Sequence, residues 1–327
     1  MGTNGTVDNM GADLPNRITD LGEHTYLIDT HMGGYDGIAA AYAIVGSKPA
    51  LVETGTALSA PIVEKSLHSL GISAADLATI VVTHIHLDHA GGVGDIAARF
   101  PNAKVVVHER GARHLVDPSR LMASARRVFG QTMDEIFGEL LAVDPDRLVV
   151  LGESGSLDLG DGRSLDSFYA PGHAWHHVGL VDSHTGDLFT GDAAGVYVPE
   201  TADVRPATPP PDFDLDLTIS SIKKMIDVKP TRLLFSHFGP VTDIDSTLDR
   251  SVEELKLWVE IVERERGPEH DIEHAIAMIR QRSQQRSPES FDNDIEEKFE
   301  ALSSIRANVE GISRWLDQRS AASPTPS

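Results

Sequence analysis

Short apolar runs alternate with stretches of helical apolar spacing along the first half of the chain. Tyr26-Leu27-Ile28, Ala41 to Val45 and Ala50-Leu51-Val52 predict strands, separated by turns at Gly33-Gly34 and Gly46. A helix follows, with Ser59 near its N-cap, Pro61 in its first turn and Gly71 at its end. Ser73 and Asp76 have capping-box spacing. Thr79–Thr83 (TIVVT) and Lys104–His108 (KVVVH) are compact and β-branched, which predicts strands buried on both faces. Between them, Gly92 to Phe100 reads as helix. The rhythm is βαβ.

From His108 to Arg147 the pattern turns helical, with Thr132 and Glu135 spaced as a capping box ahead of Ile136, Phe137, Leu140 and Leu141. Short strands then return at Leu148–Leu151, Ser156–Leu159, Ser164–Tyr169, Val178–Asp182 and Asp187–Thr190. The last two are joined through the turn Ser183–Gly186. Beyond Pro209-Pro210-Pro211 the chain is mostly helical. Leu215, Ile219, Ile222 and Ile226 share one face, and Leu248, Val252, Leu255, Val259 and Val262 share another, with a strand at Arg232–Ser236 between them. Ile295, Phe299, Leu302, Val309, Ile312 and Leu316 carry helical spacing toward the end.

This pattern predicts a flexible leader at 1–17, a main domain at 18–266 with a helical insertion at about 112–143, a helical extension at 267–320 and a frayed end at 321–327. The apolar stripe of the extension must be covered, either by the main domain or across a homodimer.

Composition narrows the class. The chain has 327 residues, 40% hydrophobic and 24% charged, enough for a substantial core and incompatible with wholesale disorder. No run approaches the ~20 apolar residues of a membrane span. Cysteine is absent, which removes disulfides, thiolate metal ligands and a cysteine nucleophile together. Lys+Arg 28 against Asp+Glu 50 gives a formal charge of −22, a field that repels nucleic acid and anionic membranes. The first residues lack the basic-then-apolar pattern of a secretory signal. These features lead us to expect a cytoplasmic protein acting on a small molecule, with neither nucleic acid nor membrane as partner.

The chemistry concentrates in Thr83-His84-Ile85-His86-Leu87-Asp88-His89, which follows a strand and precedes a helix. His84 and His86 are two apart, so extended backbone aims both imidazoles to one side. Three imidazoles and a carboxylate within six residues form a donor set suited to zinc, iron or manganese. Chance alone would produce an H-x-H-x-D-H string roughly 0.003 times in a chain of this composition. Three further ligand-type residues sit where strands give way to loops: His173, Asp192 and His237.

With these residues the chain resembles the metallo-β-lactamase-fold hydrolase superfamily, in particular its glyoxalase II and lactonase-like members, over roughly Ile18 to Val262. The resemblance implies an α/β (α+β) fold, a four-layer αββα sandwich of two mixed β-sheets flanked by helices, here with the C-terminal helical extension added. It implies two divalent ions, zinc first and iron or manganese as alternatives. His84, His86 and His173 would hold one, Asp88, His89 and His237 the other, and Asp192 would bridge them. Because Asp88 and His89 are both present, it favours two metals over the single-iron site of related sulfur dioxygenases.

Glu53 departs from the pattern, which usually has Asp there. It reads either as a carboxylate that orients a ligating imidazole or as a surface acid. His176, with His177 beside it, is expected to shape its loop or contact substrate. Tyr197 is placed either to offer its phenol to the metal centre, as in lactonases, or to pack as a strand aromatic. His108 and His184 read as structural or solvated, and His114, His270 and His274 as surface residues.

A metal-bridging hydroxide would attack a carboxylic ester, thioester or lactone, with Asp88 or Asp192 passing the proton. The same donors would serve a phosphodiesterase or phosphotriesterase. A ligand-binding or signalling protein without turnover is a further alternative, against which the complete ligand set argues.

Overall fold

Uninterrupted apolar runs and alternating ones settle into different strands of two mixed sheets. A computed structural model of the chain describes residues 14–130, 132–267, 271–286, 300 and 304–322. The described chain divides into two units. One runs to Leu151 and includes Leu157–Ser164; the other holds Gly152–Ser156 and the chain from Leu165 onward.

The first unit carries a seven-stranded sheet whose spatial order follows the chain: β1 (Ile18–Asp20), β2 (Thr25–Asp29), β3 (Ala40–Ile44), β4 (Ala50–Val52), β5 (Thr79–Val81), β6 (Lys104–His108) and β7 (Leu148–Leu151). β1 to β4 pair antiparallel, and β4 to β7 pair parallel. Parallel neighbours require crossovers. α1 (Ala60–Ser69) serves β4–β5, while α2 (Leu87–Ala90) and α3 (Val93–Arg99) serve β5–β6. α4 (Glu109–Val116) and α5 (Ser119–Phe129) lie between β6 and β7. The apolar runs of β4, β5 and β6 are buried, as strands covered on both faces must be.

Local details differ from the sequence reading. Thr56, not Ser59, supplies the cap bond before α1, accepting from Ser59 N–H. The Ser73/Asp76 spacing does deliver its bond, Asp76 accepting from Ser73 N–H in a short turn. The helical pattern beyond α5 breaks at Gly130 and again at Gly138, leaving only the turn Met133–Phe137, and the Thr132 side chain caps nothing. His108 takes the structural one of its two expected roles: it is buried and caps α4, its Nδ1 accepting from Arg110 N–H at 3.3 Å.

The chain continues through β8 (Ser154–Gly160) and β9 (Arg163–Tyr169), each with residues assigned to both units, and then, in the second unit, β10 (Val178–Asp182) and β11 (Asp187–Gly191). A separate hairpin follows, β12 (Val196–Val198) with β13 (Asp203–Arg205), then β14 (Arg232–Phe235) and β15 (Gly239–Val241). The six-stranded sheet has the order β15-β14-β11-β10-β9-β8, with β11 and β14 parallel. β10 and β11 form the expected hairpin.

Its helices are α6 (Leu215–Asp227), α7 (Ile244–Glu265), α8 (Glu273–Arg286) and α9 (Ile305–Ala322). In α9, Ile305, Val309, Ile312, Trp315 and Leu316 are buried in one cluster with Phe213, Leu255, Trp258, Val262 and residues of α8. The described part of the extension's stripe is therefore buried within its own unit. Ile295, Phe299 and Leu302 lie outside the described residues, as do His270, residues 1–13 and residues 323–327. Among the described residues no helix is long and apolar enough to cross a membrane.

Candidate metal centre

Apart from His173, each unit places its ligand-type residues just beyond the carboxyl ends of two neighbouring parallel strands, where backbone leaves the ladder and side chains are free to converge. In the first unit these strands are β4 and β5, in register at Val52 and Val81. Glu53 follows β4 directly, and its N–H still donates to Val81 O at 2.9 Å. Beyond β5 the extended segment brings the His84 and His86 rings together edge to face, 4.6 Å apart. His86 then heads α2, whose single turn delivers Asp88 and His89. The His84 and His89 rings are 4.0 Å apart.

Glu53 is 1% exposed, which excludes the surface reading. Its Oε1 accepts from the Thr83 hydroxyl and lies 3.5 Å from His89 Nδ1. With its one O–H committed to donating to the carboxylate, Thr83 Oγ1 can only accept from His84 Nδ1, 3.0 Å away. The neutral His84 ring therefore carries its lone pair on Nε2, which faces His86 Nδ1 at 3.0 Å. Thr54 completes the support, with both N–H and Oγ1 donating to His89 O at 2.8 Å.

In the second unit the strands are β11 and β14, in register at Gly191 and Phe235. Asp192 follows the first and His237 the second. Oδ1 of Asp192 is 3.6 Å from His237 Nε2, and its Oδ2 is 3.6 Å from His173 Nε2. His173 lies in the loop after β9, and its Nδ1 donates to Ala207 O at 2.9 Å. A carbonyl offers no proton, so the neutral ring again keeps its lone pair on Nε2. That lone pair faces a carboxylate oxygen. Two acceptors directed at each other are reconciled by a cation, so the residues present fit a metal.

His177 is wholly buried and accepts from Asp192 N–H at 3.0 Å, so it holds Asp192 in place. His176 is buried beside the exposed Trp175. Tyr197 brackets His237 through the backbone, with Phe238 N–H donating to Tyr197 O at 3.1 Å, and its ring stacks on Phe235 at 5.7 Å. His184 is exposed. The supporting roles of Thr83 and the Ala207 carbonyl escaped the sequence reading, as did the bond from Asp192 N–H to His177, a residue expected only to shape its loop or contact substrate. Thr83 adjoins the histidine string, but the other two act on residues 15 and 34 positions away and leave no local signal.

His84, His86, Asp88, His89, His173, Asp192 and His237 make up His/Asp groups able to hold metal ions. The family model for the metallo-beta-lactamase superfamily matches residues 34–237. The chain belongs to the metallo-β-lactamase superfamily. Its two mixed sheets with their helices supply the elements of the αββα fold of that superfamily. Among superfamily relatives, the metallo-beta-lactamase fold-containing protein ST1585 of Sulfurisphaera tokodaii is 35% identical over 50% of this chain and 61% of its own length. A hydroxyacylglutathione hydrolase of Synechococcus sp. is 30% identical over 43% of this chain and 44% of its own. The chain thus matches less than two thirds of either relative in sequence. The crystal structure of ST1585 from Sulfolobus tokodaii shares the fold with a TM-score of 0.66 at 24% identity, over 89% of this chain and 98% of that one. TTHA1429 from Thermus thermophilus does so with a TM-score of 0.63 at 21% identity, over 94% and 97%.

Proposed function

We propose that this protein is a metal-dependent hydrolase of a carboxylic ester, thioester or lactone. His84, His86 and His173 would hold one divalent ion and Asp88, His89 and His237 a second, with Asp192 shared. Zinc suits these nitrogen and oxygen donors best, and iron or manganese would also be accepted. When bound, such ions supply Lewis acidity and a water activated at neutral pH.

The observation that carries the reading is Asp192: each of its two oxygens faces a different imidazole nitrogen at 3.6 Å, as a shared carboxylate requires. Asp88 is the less buried of the two site carboxylates and is suited to take a proton from the attacking water and return it to the leaving group. The relative named hydroxyacylglutathione hydrolase supports an acyl substrate. The formal charge of −22 opposes polyanionic ones.

The test is elemental analysis of protein purified without chelator, joined to a hydrolysis screen over aryl esters, thioesters, lactones and phosphodiesters. About two metal ions per chain and preferential turnover of acyl substrates are expected. A stoichiometry near one overturns the shared-carboxylate reading. Faster cleavage of phosphodiesters, or tight ligand binding with no turnover, overturns the acyl-hydrolase assignment.

A further inference from the structure

The C-terminal helix reaches His173 through a single peptide unit. Asn308, on α9, is buried, and its Oδ1 accepts the N–H of Thr208 at 2.5 Å. The Thr208 hydroxyl lies 3.1 Å from the Asn308 carbonyl and 3.2 Å from Oδ1. That N–H belongs to the same peptide bond as the Ala207 carbonyl, which accepts from His173 Nδ1 at 2.9 Å. A trans peptide is planar, with its N–H and C=O pointing in opposite directions. Asn308 and His173 therefore grip opposite ends of one rigid plate. Each bond also polarises the other through the amide.

The rest of α9 presses on the same segment. Gly311 lies so close that a Cβ there would fall 1.8 Å from Thr208 O. Trp315 meets Phe213 at 5.9 Å between ring centres. The far end of the segment holds the ligand loop a second time, where Asp214 N–H donates to Gly172 O at 2.9 Å. None of α9 falls within residues 34–237, which the superfamily model matches.

We propose that Asn308 is a positioning residue for His173. By fixing the Ala207–Thr208 peptide plane it sets the direction of the Ala207 carbonyl, keeps the proton on Nδ1 and leaves Nε2 ready to bind metal. The proposal rests on His173 being a metal ligand. It gives the C-terminal extension a role in the site beyond covering apolar surface.

The experiment compares full-length wild type with Asn308→Ala, Asn308→Asp and, as a control on the same helix, Leu316→Ala. Histidine-ring proton–nitrogen spectra of the metal-free proteins, assigned with His173→Gln, report the Nδ1–H bond directly. Zinc affinity is measured by competition with a chromophoric chelator. Asn308→Ala should broaden or lose the His173 Nδ1–H signal and weaken zinc binding about 10-fold, the lower end for an outer support. Asn308→Asp, which keeps an acceptor oxygen, should restore most of both. Leu316→Ala should lower the melting temperature while leaving signal and affinity at the wild-type level.

If Asn308→Ala does not fold, Asn308→Ser carries the same expectation, because its oxygen is too short to reach the peptide. An unchanged signal and affinity in a folded Asn308 variant, or equal losses in Leu316→Ala, overturn the proposal. If wild type binds no zinc while the Nδ1–H signal still responds to Asn308, the metal reading fails and the positioning link stands.

Discussion

Glu53 Oε1 lies 3.5 Å from His89 Nδ1, with both side chains almost wholly buried. In so dry a setting the carboxylate orients and steadies the imidazole far more than it would in water. The same oxygen also fixes His84 through the Thr83 hydroxyl, so one carboxylate supports two donors.

Replacing Glu53 with Gln should therefore weaken metal binding about 10- to 100-fold, the range for removing the partner of a ligating histidine. Glu53→Asp, one methylene shorter, should fall between Gln and wild type, although the resemblance noted in the sequence leads to the expectation of aspartate there. Chelator competition checks both. Wild-type affinity in Glu53→Gln would contradict the support assigned to this side chain.

His86→Ala should abolish hydrolysis and keep the fold. The residue is half-buried at the head of a one-turn helix and contributes little to the core, so circular dichroism and the melting temperature should stay near wild type. Turnover should fall to that of metal-stripped protein. Retained turnover in a preparation free of contaminating hydrolase would place the chemistry elsewhere.

Gly172→Ala should displace His173. Gly172 has φ +127°, and a Cβ there would lie 2.3 Å from Thr218 N at the start of α6. Relief requires the ligand loop to move away from the helix. We expect a loss of about 1–3 kcal/mol in urea unfolding, as for other overpacked sites, together with weakened metal binding. A variant with wild-type stability and affinity would show that the loop yields without cost.

Leu316→Ala should cost about 2–5 kcal/mol, the range for emptying a well-packed leucine site. Removal of the chain from residue 304 onward exposes Phe213, Leu255, Trp258 and Val262 together and should cause aggregation. Size-exclusion chromatography with light scattering distinguishes this from a soluble truncated monomer, which would make α9 dispensable for folding.

Asp36 gives a pH prediction. Hydrogen bonding from the Arg17 guanidinium, followed by His31, holds its carboxyl below the ordinary range. A lowered folded-state value means stability present above the unfolded-chain value and lost as pH falls through the folded one. Asp36→Asn should cost less than about 1 kcal/mol at pH 7, because the Asp36 side chain is exposed. That difference should shrink as pH falls and vanish once Asp36 is protonated in the folded chain as well, when denaturant unfolding is followed across pH.

The sequence by itself determined what is local. His84 to His89 is legible because one strand end and one helical turn deliver every donor in the string. Uninterrupted apolar runs betray β4, β5 and β6, since a strand covered on both faces has no polar alternation to show. The three-residue strands β1, β12, β13 and β15 were decided by pairing, because so short a segment carries no period of its own. Glu53 illustrates the division most sharply: its identity reads as an anomaly in the chain, and only packing makes it buried rather than exposed. Thr208 and Asn308 are 100 residues apart, yet they share a buried hydrogen bond on the peptide whose carbonyl accepts from His173. No pattern along the chain encodes such a bond, because its free energy exists only after both segments have been desolvated and brought into register by the folded core.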